Sequence, residues 1–119
     1  MVVYFPDVTL HRFGIVESQS GVYGETIQEY EYIDDIQVDL QDNGNHEIAH
    51  TYGIELSDLF KIYLDITTPL NDSDLLKDDT GTEYTIIGGV NVYRKFHQYK
   101  MANLKRRRYN EHTMAYGHQ

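Results

Sequence analysis

Apolar and polar residues alternate with a period of two along much of the chain, the signature of half-buried strands. Residues 8–16 (VTLHRFGIV) are β-branched and apolar enough for a first strand, and ESQSGVYG, residues 17–24, reads as a flexible connection. From Thr26 the alternation is clean: Tyr30, Tyr32, Ile36, Val38 and Leu40 share one parity, while Glu29, Glu31, Asp35, Gln37 and Asp39 share a wet, acidic one. A further run places Phe60, Ile62, Leu64 and Ile66 on one face, until Pro69 stops it. Leu75 and Leu76 lead into "DDTG", where Asp79, Thr80 and Gly81 suit a tight hairpin turn. Tyr84, Ile86, Val90 and Val92 lead out, and Gly88-Gly89 between them suggests a bulge. A last strand covers His97 to Leu104.

One segment breaks the period. Asp42, Asn43, Gly44 and Asn45 end the long strand and offer helix caps, so His46 to Tyr52 predicts about two helical turns closed by Gly53. Ile48 and Tyr52, one turn apart, are expected to face the core and to leave His46, Glu47 and His50 in water. Successive short strands with one short helix predict a mainly β fold, a small antiparallel β-barrel (SH3-like) or sandwich with long loops. The 119 residues suffice for one domain with a modest core, assigned to residues 1–104, with a basic tail at 105–119.

Composition adds that the chain has no cysteine, which excludes disulfides and thiolate metal sites. The sequence shows no run of apolar residues long enough for a membrane helix and no signal-peptide pattern, so a soluble, unsecreted protein with no membrane partner is expected. Eleven tyrosines suit half-exposed strands and interfaces. Charge is uneven: residues 1–93 hold 18 acids against Arg12, Lys61 and Lys77, a balance of −15, whereas residues 94–119 hold seven bases against Glu111, a balance of +6.

The letters H-E-x-x-H occur at His46, Glu47 and His50, as in zinc peptidases, where two histidines one turn apart bind the metal and the glutamate activates its water. Leu56 stands where the longer pattern wants a third histidine, leaving two protein ligands against the usual three. With six histidines in the chain, chance alone gives this pattern an expectation of about 2%. The motif is therefore read as a decoy on a short surface helix, with no metal, no cofactor and no catalytic residue assigned. Asp72, Asp74, Asp78 and Asp79 lack the spacing of a calcium loop and read as a solvated turn. The serines sit in no nucleophile elbow, and no phosphate-binding glycine loop is present.

Lys95, Lys100, Lys105, Arg106, Arg107 and Arg108 could meet phosphate electrostatically. The acidic body opposes a polyanion, so self-association of the basic end with a neighbour's acidic surface is favoured. Interface candidates are Tyr23, Tyr30, Tyr32, Arg94, Lys95, Lys105, Arg106, Arg107 and Arg108.

The order "GVYGE", "IQVDLQD", "YGIEL", "FKIYLD", "LLKDDTGTEYTIIGGVNVY" and a final tyrosine-bearing strand, spanning residues 8–104, resembles the head-closure (stopper) proteins of long-tailed phages. These are similar to minor capsid and head-tail joining proteins of Gram-positive phages. "DDTGTEYTI" is the most specific piece, and none of these pieces is a catalytic signature. In such proteins the place of "HEIAHTYG" is taken by a short polar helix with acids and lysines instead of the histidines. The resemblance implies a virion protein, assembled in the host cytoplasm, that forms a ring of about twelve copies under the portal and its adaptor. Such a ring retains packaged DNA, which passes through without sequence-specific binding, and meets tail terminator or tail tube proteins. Acidic walls suit that passage. A tail-completion or terminator role is the alternative, and a zinc hydrolase using His46, Glu47 and His50 the weaker one. The segment RRRYNEHTMAYGHQ has no counterpart in the resemblance.

Overall fold

The computed structural model describes residues 7–20 and 25–107. Six strands form a closed, wholly antiparallel barrel: β1 (Val8–Ser20), β2 (Glu25–Asp42), β3 (Leu59–Asp65), β4 (Leu75–Lys77), β5 (Glu83–Tyr93) and β6 (Tyr99–Arg106). Around the barrel the order is β1-β2-β3-β6-β5-β4, with β4 returning to β1. The fold is thus the barrel of the two architectures expected, and closure removes the open edges that a sandwich would leave.

Inward residues of alternate position fill the barrel. Leu10, Ile36, Val38, Ile62, Leu64, Leu76, Ala102 and Leu104 are buried, and Tyr84 and Leu70 join them. Because Leu10 pairs with Ile36 and Ile62 with Ala102, the core is built from cross-strand partners on one face of the sheet.

The helix α1 (His46–Tyr52) forms where the caps predict it. Asn45 accepts the Ile48 N–H through its side chain, and Gly53 closes the helix at φ 65°, a left-handed conformation that favours glycine. The buried face is the expected one at Ile48 but not at Tyr52. Ala49, not Tyr52, is buried, and packs with Ile54, Leu59, Ile48 and Ile87 in a second cluster on the outside of the barrel. Tyr52 stays half exposed, its hydroxyl close over Gly88.

Other boundaries shift for local reasons. β3 stops at Asp65, before Ile66 and Pro69, because the Asp65 carboxylate accepts the Thr67 N–H and hydroxyl and turns the chain. β6 starts at Tyr99 and runs through Lys105 and Arg106, so the first part of the basic run lies in the barrel wall and not in a tail. The turn at Asp78 forms as expected, its carboxylate accepting both the Thr80 and Thr82 N–H groups. The Gly88-Gly89 bulge is present, both glycines at positive φ.

The largest departure concerns β1 and β2. They do not give way to a flexible connection at residue 17: the pairing continues from Val8↔Val38 out to Ser20↔Glu25. β4 leaves β1 at Phe13, and β3 leaves β2 at Asp39, so residues 14–20 and 25–33 form a two-stranded arm beyond the barrel wall. Seven residues of strand reach roughly 23 Å. The molecule is correspondingly long, 55 × 29 × 26 Å.

Candidate interaction surfaces at the arm and the barrel end

The ladder between β1 and β2 slips once. Arg12 faces Asp34 and Phe13 faces Tyr32, leaving Ile33 as the extra residue of a bulge. Gly14 makes room for it, since a Cβ there would lie 2.5 Å from Ile33 Cδ1. The slip changes which side each residue takes. Ile36 and Val38 face the core, but Tyr30 and Tyr32 pair with Ile15 and Phe13 on the outer face, 45% and 52% exposed. The sequence parity that grouped these tyrosines with the core residues is thus broken by one residue. Ile15, Val16 and Ile33 are also exposed along the arm, beside Glu29 and Glu31.

Two ionic clusters fix the root of the arm. Arg12 is buried; its Nε and Nη2 donate to the two oxygens of Asp34 at 2.8 and 3.0 Å, and its Nη1 donates to buried Asp74 at 2.9 Å. Asp74 also accepts the Asn71 N–H, so the 66–74 connection is tied to the arm's base. Outside, His11 is held between Asp35 (Nδ1, 2.7 Å) and Asp79 (Nε2, 2.8 Å), and the Tyr32 hydroxyl donates to the same Asp35 oxygen at 2.8 Å. Asp35, then Asp79, raise the His11 pKa above its usual value, while His11 and then Tyr32 lower that of Asp35. The hydrogen bond to Asp35 raises the Tyr32 pKa.

The strand directions place the arm, the 66–74 connection and the β5–β6 turn at one end of the barrel. Since β1 and β2 lie opposite β6 and β5 in the closed order, the arm and this turn stand on opposite walls. The turn carries Arg94 and Lys95 together with Phe96, which is 88% exposed at φ 68°. Lys95 Nζ lies 5.5 Å from the Phe96 ring centroid, Tyr93 stacks on Tyr99 at 4.8 Å, and Tyr99 meets Tyr63 at 5.9 Å. A shallow depression of about 500 Å³ lies among these side chains.

The expected interface residues therefore separate. Tyr30 and Tyr32 sit on the arm and Arg94 and Lys95 on the opposite turn. Arg106 instead pairs with buried Asp58 at 3.0 Å and lies over Phe60, and Arg107 pairs with Glu83 at 3.1 Å, so both are engaged within the fold. Lys105 lies in β6 opposite Leu59, and Tyr23 and Arg108 fall outside the described residues. Phe96 was not singled out by the sequence, though a lone phenylalanine among bases in a turn was a readable sign.

His46, Glu47 and His50 lie on the exposed face of α1, beside an open depression. Among the described residues no group of three His, Cys, Asp or Glu is placed to hold a metal ion. The four acids of the 72–79 stretch serve the fold: Asp72 accepts the Val90 N–H at the bulge, and Asp74, Asp78 and Asp79 take the roles given above. No described helix is long and apolar enough to cross a membrane.

No protein-family model matches the chain, and no curated relative matches it. Among solved structures, it is similar to the solution structure of protein SF1141 from Shigella flexneri 2a, at 12% identity and a TM-score of 0.69, covering 89% of this chain and 96% of that one. At that identity the likeness is one of fold.

Proposed function

We propose that this protein is a structural subunit of the phage neck. It forms a ring under the portal and adaptor, closes the head after DNA packaging and offers the surface to which the tail attaches. The observation that carries this reading is the arm: a small closed barrel extends two strands beyond its wall with Ile15, Tyr30 and Tyr32 exposed, the make-up of an interaction element. The sequence resemblance to head-closure proteins supplies the setting. The acid-rich body, −15 over residues 1–93, suits a channel that DNA must traverse without adhering.

Deletion of the gene from the phage or prophage that carries it tests the reading. The expected result is heads that package DNA and then lose it, beside free tails of normal length, with full-length protein restoring tailed particles. Tails of abnormal length on stable full heads would place the protein at the tail terminator instead, and normal tailed virions would end the proposal.

A further inference from the structure

The arm and the β5–β6 turn are complementary in charge and alike in apolar content. The described side chains of the arm include Glu17, Glu29 and Glu31 and no base, while residues 92–97 of the turn include Arg94 and Lys95 and no acid. Each surface has exposed large apolar groups, Ile15 and Tyr30 on one and Tyr93 and Phe96 on the other. Burial of such groups supplies the attraction, and opposite charge around them selects the partner.

Their placement says which partner. Both surfaces belong to one chain, so they are present in equal number, and they stand on opposite walls at the same end of the barrel. A surface and its complement on opposite sides of one molecule cannot meet within it; they meet between copies, head to tail, and such contacts close into a ring when the rotation per step divides a full turn. We propose that the outer face of each copy's arm docks on the Tyr93–Phe96 turn of the next, with Glu17, which shares that face with Ile15 and Tyr30, meeting Arg94 and Lys95. This names the contact of the ring proposed above and rests on that reading for its setting.

The absence of cysteine from the chain gives a direct test. Full-length protein carrying Gln28→Cys and His97→Cys together, which places the thiols beside Tyr30 and Phe96 and keeps both rings, mildly oxidised at high concentration, is expected to give a ladder of disulfide-linked species beyond the dimer, ending at one largest species. Each single variant gives dimers at most, because one thiol per chain cannot extend a series. Adding Lys95→Glu to the double variant is expected to abolish the ladder, and adding Glu17→Lys to that to restore it in part. Circular dichroism confirms that each variant is folded. A folded double variant that stops at the dimer, or a ladder indifferent to Lys95→Glu, would overturn the arm-to-turn contact. The neck assignment would then still stand or fall separately on the gene deletion.

Discussion

Arg12 Nη1 reaches Asp74 Oδ2 at 2.9 Å with both side chains almost wholly buried, across 62 residues of sequence. The pair joins the strand that becomes the arm to the connection between β3 and β4. Arg12 Nε and Nη2 donate to Asp34, which is partly exposed. Loss of the Asp74 carboxylate leaves Arg12 paired with Asp34 but strips its buried Nη1 of an acceptor, and a buried donor left unsatisfied costs about 1–3 kcal/mol. Asp74→Ala is therefore expected to lower unfolding free energy by about that amount in denaturant titration. Asp34→Ala costs less, because water reaches its place. An Asp74→Ala protein as stable as wild type would show that Arg12 finds another acceptor.

The His11 clamp makes stability depend on pH. With its folded pKa raised by Asp35 and Asp79, His11 contributes stability that is full below the unfolded value of about 6.5 and is lost as pH rises through the higher folded value. Asp35 is the opposite case: its pKa is lowered, so its contribution is full above the unfolded value and is lost as pH falls through the folded one. The clamp is thus strongest between about pH 4 and 6.5. NMR titration of His11 is expected to give a pKa above that of an unstructured histidine, with Asp35→Asn moving it down further than Asp79→Asn. An unshifted His11 would mean the clamp is open in solution.

Gly53 and the exposed histidines separate the two readings of residues 46–56. Gly53→Ala places a Cβ at φ 65° and is expected to destabilise by about 1–2 kcal/mol. His46→Ala and His50→Ala, both in water, are expected to change stability by less than about 0.5 kcal/mol. Metal analysis of dialysed protein is expected to find no stoichiometric zinc. Zinc bound one-to-one and lost in His46→Ala would restore the hydrolase reading.

How far the sequence led depended on whether a feature was local. The Asn45 and Gly53 caps, the Asp78 turn and the Gly88-Gly89 bulge are each written in neighbouring residues, and all four stand where those residues put them. The Ile33 bulge was hidden, because an isoleucine in an alternating strand carries no turn signal; what permits it is Gly14 on the other strand. Parity counted through that point put Tyr30 and Tyr32 on the core side. The burial of Arg12 with Asp74 was hidden for the same kind of reason, as was the engagement of Arg106 by Asp58, 48 residues away. Hydrophobic pattern reports the core; it says nothing of which charges the closing of the barrel will bring together.

Phe96 offers the sharpest separation of assembly from stability. A phenylalanine at φ 68° holds a conformation that costs about 1–2 kcal/mol for a residue with a Cβ. At 88% exposure it regains little of this by burial within its own chain. Glycine relieves the strain and returns about 0.5–1 kcal/mol of it as freedom of the unfolded chain. Phe96→Gly is accordingly expected to be as stable as wild type or up to about 1 kcal/mol more so, whereas a core phenylalanine lost to a small residue costs about 3–5 kcal/mol. The same substitution removes the apolar tip on which the neighbour's arm is proposed to rest. Association measured by sedimentation is expected to weaken while the melting temperature holds or rises. A protein that associates undiminished without the Phe96 ring would mean that the tip is not the docking point, and a large fall in melting temperature would mean that Phe96 packs against its own barrel.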